Sequence, residues 1–494
     1  MVNYNNGNLM DNSITSQTVR SVTWSAVERF SVQAFQFVIS IILARLVAPS
    51  EYGLIAMLSI FIAIAQSFVD SGFSNALIQK INRTETDFST VFYFNIAISL
   101  LVYIILFLSA PYIALFYKEP LLELVCKWMG LGLIIQGLSV VQVAKLTVLL
   151  DFKTQAKASL IAVIISGLLG VYLAYYGYGV WALLVQSLLN NLLNTFFLWV
   201  YAKWIPKLIF SWHSLITLFS FGSKLLLSGL LHTVYINLYS LVIGRKYSAM
   251  DVGYYNQSSL TARFPSVSLM AIITRAIYPI QCKIQDENEL LYSSFIQYLR
   301  MSCYIIFPIM IGIAVVAKPL VLVLLTAKWL PISNLLSVLC IAYMWNPIMV
   351  LNNQILNVKG RSDYFLRSEI IKKIVGILIL LISIPFGLTI ICIGIFLYNI
   401  FDMIIIIYYS KKVINIGYSK QFKSVFPIFS LSVTMGVIVY LSLLLTSNAY
   451  LQLFLGVLIG IVVYISLSKL FHVKEFIFIL FKLKKVIHLV FSVI

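Results

Sequence analysis

Charged residues are scarce in this sequence. Only 11% of its 494 residues are charged, and just 17 are Asp or Glu, which is less than half of the charged fraction of an ordinary soluble domain. Cysteine is scarce as well, with five scattered residues: Cys126, Cys282, Cys303, Cys340 and Cys392. No pair has the spacing of metal ligands or of a disulfide framework. We therefore expect no metal site, no disulfide and no soluble domain.

Motifs of catalysis and nucleotide binding are also missing. The sequence contains no G-x-x-x-x-G-K-[ST] loop, no H-E-x-x-H and no G-x-S-x-G. These absences argue against an ATPase, a zinc protease and a serine hydrolase, so we predict that the protein is not an enzyme. The enzymatic alternative is a lipid-linked glycosyltransferase or polymerase. It is disfavoured because the polar connections are too short for the sizeable outer loop that such enzymes commonly have.

Long apolar stretches are what the sequence has instead. Hydrophobic residues make up 61% of the chain, and we count about 14 stretches long enough to cross a bilayer as helices. Alternation with a period of two is missing, which excludes a membrane β-barrel. We predict an all-α polytopic membrane protein. Its spans cover residues 21–44, 53–78, 88–109, 119–143, 157–175, 179–202, 214–243, 253–274, 293–316, 333–357, 371–386, 388–410, 425–446 and 450–468.

The net charge of +18 is better explained by membrane topology than by a nucleic-acid partner. Lys and Arg concentrate in the even-numbered connections and in the C-terminal tail, so the positive-inside rule predicts that both termini are cytoplasmic. The remaining positive charge suits contact with anionic membrane lipids, and we expect no nucleic acid. Residues 1–20 are polar and lack the basic start of a signal peptide. We expect them to form a cytoplasmic tail.

One short pattern occurs twice, as ARLVAPSEYG at 44–53 and as GRKYSAMDVG at 244–253. The matched residues keep one offset: Arg45 and Arg245, Glu51 and Asp251, Gly53 and Gly253. The copies join spans 1 and 2 and spans 7 and 8, so both face the non-cytoplasmic side. This arrangement predicts a parallel repeat of two pseudo-symmetric six-helix lobes. The lobes are residues 21–213 and 214–410, and residues 411–494 add two helices and a basic cytoplasmic tail.

Two roles remain open for the repeated turns. Glycine tolerates positive φ and would permit a tight turn at Gly53 and Gly253. The Arg and the acidic residue of each copy could pair across the turn. A structural role is favoured over a role in an outer gate.

Polar residues inside the membrane are costly and therefore mark candidate functional sites. In this sequence they follow one face of each span beside the repeated turns. They include Arg29 in span 1; Ser59, Gln66 and Asp70 in span 2; Lys224 and His232 in span 7; and Asn256, Ser259, Arg263 and Ser266 in span 8. We predict a cationic cavity between the lobes, lined by Arg29, Lys224 and Arg263. The planar donor fork of arginine suits phosphate oxygens, which indicates an anionic substrate.

Each of these charges has a structural alternative. Arg29 could lie at headgroup level, and Lys224 could extend its ammonium to the cytoplasmic interface. Arg263 is about 15 Å along its helix from the repeated turn, which places it too deep to reach the interface easily.

Three residues are candidates for ion coupling, and each also has an alternative. Asp70 could instead neutralise an arginine of the cavity, and His232 could be a hydrogen-bonded buried histidine. For Asp402 a structural partner in the C-terminal lobe is favoured.

Several segments together resemble one known family. They are WSAVERF, ILARLVAPSEYGLIAM, DSGFSNALIQK, DFSTVFYFNI, LDFKTQAKASL, GYGVWAL, LLTAKW and NVKGRSD, in this order. Over about residues 15–440 the chain resembles bacterial polysaccharide exporters of the lipid-linked oligosaccharide flippase type. Their superfamily comprises multidrug, oligosaccharidyl-lipid and polysaccharide exporters.

The resemblance implies a V-shaped transporter of the bacterial inner membrane, with two six-helix lobes and two further helices. It implies an undecaprenyl-pyrophosphate-linked oligosaccharide as cargo, alternating access, and coupling to a proton or sodium gradient without another cofactor. Partners would be the cargo, membrane lipids, and a polysaccharide polymerase with its export machinery. Basic residues on helices 1, 2, 7 and 8 would face the pyrophosphate, a role carried over to Arg29, Lys224 and Arg263 by helix and depth alone.

Two other functions stay open. A drug or metabolite cation antiporter of the same superfamily would be expected to have an acidic cavity, whereas the predicted cavity is basic. A scaffold of an envelope polysaccharide assembly complex would bind partners without transporting anything.

Overall fold

The computed structural model describes residues 32–481 except Ser71 and Ile81, and in one helix it leaves out the side chains at 220, 221, 224, 225, 228 and 232. The described part of the chain contains helices and no β-strand. The first nine helices are α1 Val32–Leu46, α2 Pro49–Asp70, α3 Phe73–Gln79, α4 Glu85–Tyr117, α5 Leu121–Gly137, α6 Val140–Val148, α7 Phe152–Tyr175, α8 Val180–Ala202 and α9 Trp212–Lys246. The others are α10 Ala249–Lys283, α11 Asn288–Val315, α12 Ala317–Leu324, α13 Ile332–Tyr343, α14 Asn346–Val358, α15 Ser362–Ser383, α16 Leu388–Ile414, α17 Tyr418–Leu443 and α18 Ala449–Leu470.

Within the described residues, every predicted span overlaps a helix or a pair of helices, and residues 21–31 of the first span lie outside them. Spans 2, 4 and 10 are each interrupted, and they correspond to α2 with α3, α5 with α6, and α13 with α14. Among the described residues, 11 helices or helix pairs are long and apolar enough to cross a membrane; α1, α9 and α15 are not among them. The all-α, multi-pass class is confirmed, and fourteen spans are consistent with it.

The interruptions repeat along the chain as the turns do. Span 4 breaks between α5 and α6, and span 10 breaks between α13 and α14. A proline interrupts the helix of span 3 at Pro111 and the helix of span 9 at Pro308, where each ring removes one backbone hydrogen bond. Both pairs of features are six spans apart. They support the internal repeat independently of the matched turns.

The described helices form two compact units, which divide between Gly253 and Tyr254. In the first unit α7 packs along α8 and α4 along α5, and α2 lies against α4, α5, α8 and α9. In the second unit α11 packs on α17, α15 on α16, and α17 on α18. The predicted division into 1–20, 21–213, 214–410 and 411–494 stays a prediction.

The start of α4 shows how two of the family-like segments hold each other. Thr84 and Asp87 form a capping box, which satisfies backbone N–H groups at the helix start. The Asp87 side chain is 1% exposed, and its two carboxylate oxygens each lie 2.8 Å from Lys80 Nζ. The chain therefore folds back at residues 80–87 with its buried charge paired.

Cysteine labelling tests the predicted topology. Tyr178 and Ser362 are exposed at connections that the charge pattern assigns to opposite sides. In a Cys282→Ser background, where the other native cysteines are buried, a membrane-impermeant maleimide should label Tyr178→Cys on intact cells. Ser362→Cys should react only after the cells are opened. Labelling in the opposite order at either position would contradict the fourteen-span arrangement.

Candidate functional site

The two repeated turns pack directly against each other through their glycines. Gly53 and Gly253 are buried in the first turns of α2 and α10. A Cβ atom at Gly53 would overlap the backbone carbonyl of Ala249, and one at Gly253 would overlap that of Pro49. The two contacts are reciprocal, because Gly53 corresponds to Gly253 and Pro49 to Ala249 at the same offset of 200 residues. Such reciprocity is typical of a local twofold axis, as a parallel repeat requires.

The reason for glycine differs from the one that the sequence suggested. Neither Gly53 nor Gly253 has a positive φ, so a tight turn in the left-handed region does not explain them. Both lie in helices whose backbones approach too closely for any side chain. Small residues at such helix contacts are common in membrane proteins for this reason.

The acidic residue of each copy stabilises the helix that follows. The Glu51 carboxylate accepts a hydrogen bond from the Ala48 backbone N–H at 3.1 Å. Asp251 accepts from the Ser248 N–H at 3.1 Å and from the Ser248 hydroxyl at 2.7 Å. An acidic side chain at the third helical position satisfies a free N–H group and complements the helix dipole. The repeated acids therefore act as helix caps.

The arginine of the second copy does not act together with its acid. Arg245 does not pair with Asp251; its guanidinium lies 5.2 Å from the centre of the Phe116 ring. Arg45 is exposed at the end of α1. A role of the turns in an outer gate stays a prediction.

A polar seam joins α2 to α9. The Ser59 hydroxyl donates to Asn237 Oδ1 at 3.2 Å, and the hydroxyls of Ser67 and Thr233 are 3.4 Å apart. Ser59 was expected from the sequence, whereas Thr233 and Asn237 were missed because they lie beside the expected stripe of α9 and not on it. The side chains of Lys224 and His232 on that stripe, and Arg29 in full, lie outside the described residues.

Asp70 ends α2 and lines a cavity of about 360 Å³ within the first unit, together with Ser67, Ser74 and Asn75. Its side chain is exposed to this space. Gln66, expected on the same face, lines a separate small pocket of about 40 Å³ beside α5 and α8. Gln66 and Asp70 of span 2 therefore lie in two different cavities, and among the described lining residues Asp70 supplies the charge.

Arg263 keeps an exposed side chain and lies over an aromatic ring. Its guanidinium carbon is 5.9 Å from the centre of the Tyr343 ring, within range of a cation–π interaction. Ser259 and Ser266 are buried, and Ser266 donates to the backbone carbonyl of Tyr343 at 3.1 Å. Ser266 therefore positions the residue whose ring supports Arg263. Tyr343 was missed because no sequence pattern links it to α10.

Asp402 is not alone, because its carboxylate lies 3.2 Å from the ammonium of Lys372 on the neighbouring helix. No group of three His, Cys, Asp or Glu side chains in the described part of the chain is arranged to hold a metal ion.

The fold is that of transporters related to multidrug exporters and to a lipid flippase. The solved structure described as lipid II flippase MurJ in an inward closed conformation matches with a TM-score of 0.75 and 16% identity, over 91% of this chain and 99% of that one. An inward-facing multidrug resistance transporter of the MATE family and the MOP superfamily matches with a TM-score of 0.59 and 16% identity, over 78% and 94%.

The sequence places the chain more narrowly. The profile of the family described as polysaccharide biosynthesis protein matches residues 42–334, and the chain belongs to this family. The teichuronic acid biosynthesis protein TuaB of Bacillus subtilis is 27% identical over 71% of this chain and 73% of its own length. The lipopolysaccharide biosynthesis protein WzxC of Escherichia coli is 26% identical over 73% and 74%.

Proposed function

We propose that the protein flips an undecaprenyl-pyrophosphate-linked oligosaccharide from the cytoplasmic to the outer leaflet of the bacterial inner membrane by alternating access. Membership of the polysaccharide biosynthesis family and the fold shared with a lipid II flippase support this proposal. The protein is then a transporter and not an enzyme, with both termini in the cytoplasm. It works beside the polymerase that uses the flipped unit.

The observation that carries the proposal is the placement of Arg263. An arginine deep in a membrane helix normally needs an acidic partner. The group that engages Arg263 here is the face of an aromatic ring, and its exposed donors remain available to a ligand. A guanidinium can bind two oxygens of one phosphate at once. The side chain is thus suited to hold a pyrophosphate, with Tyr343 fixing its orientation.

A reconstituted flipping assay tests the proposal. Purified protein is placed in vesicles that contain a fluorescent undecaprenyl-pyrophosphate disaccharide, and a membrane-impermeant quencher then reports the fraction exposed outside. We expect the protein to increase the rate of exchange between leaflets well above that of empty vesicles. A rate equal to that of empty vesicles would contradict flipping and favour the scaffold hypothesis.

A second candidate function follows from Asp70. Its exposed carboxylate in a cavity of about 360 Å³ is a feature expected of a drug or metabolite cation antiporter. If that function is correct, Asp70→Asn should abolish uptake of an organic cation such as ethidium while the flipping assay shows nothing. If flipping is the function, we expect no ethidium uptake by the wild type, and Asp70→Asn should retain gradient-driven flipping.

A further inference from the structure

The second unit contains a buried charge cluster halfway along two helices. Lys372 of α15 is 2% exposed, and its ammonium contacts the carboxylate of Glu369 and lies 3.2 Å from Asp402 Oδ1 on α16. Lys373 extends the cluster, with its ammonium 3.7 Å from the second Glu369 oxygen. Lys372 is about 15 Å along α15 from Ser362, so it lies near the middle of that helix.

Burial of an ammonium group in this position costs free energy of folding. Removing an ion from water costs several kcal/mol even after the surroundings relax, and replacing a buried ion pair by apolar residues is often neutral or stabilising. Stability therefore gives no reason for the cluster. Ionisable groups inside a membrane are by default candidates for ion pathways or proton relays.

The three charged groups are held unequally. Lys372 and Glu369 belong to one helix and are three residues apart, so their contact persists whatever α16 does. Asp402 is the only group supplied by α16. Its Oδ1, although close to Lys372, accepts no well-aligned hydrogen bond from any described residue. Asp402 is therefore the carboxylate that can take up a proton with the least loss of contacts.

Among the described residues, Lys372 is the counterion of Asp402. The charged groups that act on Asp402 are Lys372, Lys373 and Glu369, all on α15. The helices α13 and α14, which pack on α16, carry no charged residue, and their titratable groups are Cys340 and Tyr343. The helices α11 and α17 also touch α16, and their charged residues are Glu289, Arg300, Lys420 and Lys423. None of these four is within ion-pair distance of Asp402, and Arg300 is paired with Glu475.

We propose that Lys372, Glu369 and Asp402 form the proton-coupling site of the transport cycle. When Asp402 is ionised, Lys372 bridges the two carboxylates and ties α15 to α16. When Asp402 binds one proton from the aqueous phase, Lys372 stays with Glu369 and the tie is released. A proton gradient then makes and breaks one contact between two helices, which is a local charge event of the kind that drives conformational switches. This inference rests on the flippase function proposed above.

Charge-removing variants in the flipping assay test the site. With sodium held constant and a pH gradient imposed, the wild type should flip faster than without the gradient. The double variant Lys372→Met/Asp402→Asn removes both ends of the tie without leaving an unpaired buried charge, so it should keep the thermal midpoint of the wild type. Its gradient-stimulated rate should fall at least about tenfold, to the level seen without a gradient.

The matched control is the exposed pair Arg361 and Asp363 at the start of the same helix, whose charged atoms are 2.8 Å apart. Arg361→Gln/Asp363→Asn removes one charge of each sign there and should leave the stimulation intact. A double variant of Lys372 and Asp402 that still responds to the gradient as the wild type does would make the cluster structural and overturn the proposal. Stimulation of the wild type by a sodium gradient, and not by pH, would do the same.

A second measurement does not depend on transport. Dicyclohexylcarbodiimide reacts with protonated carboxyl groups in apolar surroundings, and mass spectrometry locates the adduct. We expect Asp402 to be labelled increasingly as the pH falls, and Lys372→Met to shift this labelling to higher pH. Absence of labelling at Asp402 throughout would contradict the proton site. If instead the wild type does not flip lipid but Asp402 is labelled, the transported substrate is wrong and the proton site stands.

Discussion

Replacement of Gly53 by alanine is expected to force apart the two repeated turns and to remove most export. In an ordinary helix this change stabilises by up to about 1 kcal/mol, because alanine is the better helix former. At Gly53 the added Cβ overlaps the carbonyl of Ala249, which is backbone and cannot rotate away. We expect a net destabilisation of about 2 kcal/mol or more from overpacking. The thermal midpoint of the purified protein and the surface polysaccharide of cells lacking the chromosomal gene measure the two effects.

The reciprocal contact supplies an internal check, because Gly253→Ala meets Pro49 in the same way and should behave as Gly53→Ala does. Gly312 provides the matched control. It lies in α11, and no neighbouring atom lies within 4 Å of the position that its Cβ would take. Gly312→Ala should be neutral or stabilising. Normal stability and export of Gly53→Ala would show that the turns are not held by this contact.

Arg263→Ala is expected to have the largest effect on transport with the least effect on the fold. The side chain is exposed, and its recorded contact is the Tyr343 ring, so its loss should leave the protein in the membrane at a normal level. Flipping of the pyrophosphate-linked disaccharide should fall by about tenfold or more, the scale of a lost charge-assisted contact. Arg263→Lys should retain part of the rate, because the charge remains but the bidentate fork is lost.

Variants of the Tyr343 ring beneath Arg263 distinguish the effect of positioning the guanidinium from the effect of its charge. Tyr343→Phe preserves the aromatic face and should flip lipid nearly as the wild type does, whereas Tyr343→Leu removes the face and should show an intermediate rate. Arg361→Ala, which removes an exposed arginine at the start of α15, serves as the control for net charge. Equal rates for Arg263→Ala and Arg361→Ala would exclude Arg263 from substrate binding.

Hydropathy and spacing predicted the helices, the repeat and its offset, because these depend on local sequence. The structural reasons for particular residues were harder to predict from the sequence. Glycine at 53 and 253 was noticed in the sequence but explained by φ, since the contacts that exclude a side chain join residues 196 and 204 positions apart. Tyr343 supports Arg263 from another helix, and nothing in the sequence connects them.

Lys372 was missed for an informative reason. The predicted span began at residue 371, which placed the lysine at the membrane surface. The helix in fact begins at Ser362, so the same lysine lies near its middle. The sequence did not indicate the partner of Asp402, so this residue was interpreted as an isolated acid.

The reciprocal contact of the turns has a consequence for the history of the chain. A polypeptide with one copy of the turn could have formed the same joint with a second copy of itself, as a homodimer in which each change counted twice. Fusion of the two copies allows each to vary alone. The groups that touch are glycine on one side and a backbone carbonyl on the other, so only the glycine is constrained in identity. Accordingly, Pro49 corresponds to Ala249 and Glu51 to Asp251, while the residue at 53 and at 253 is glycine in both copies.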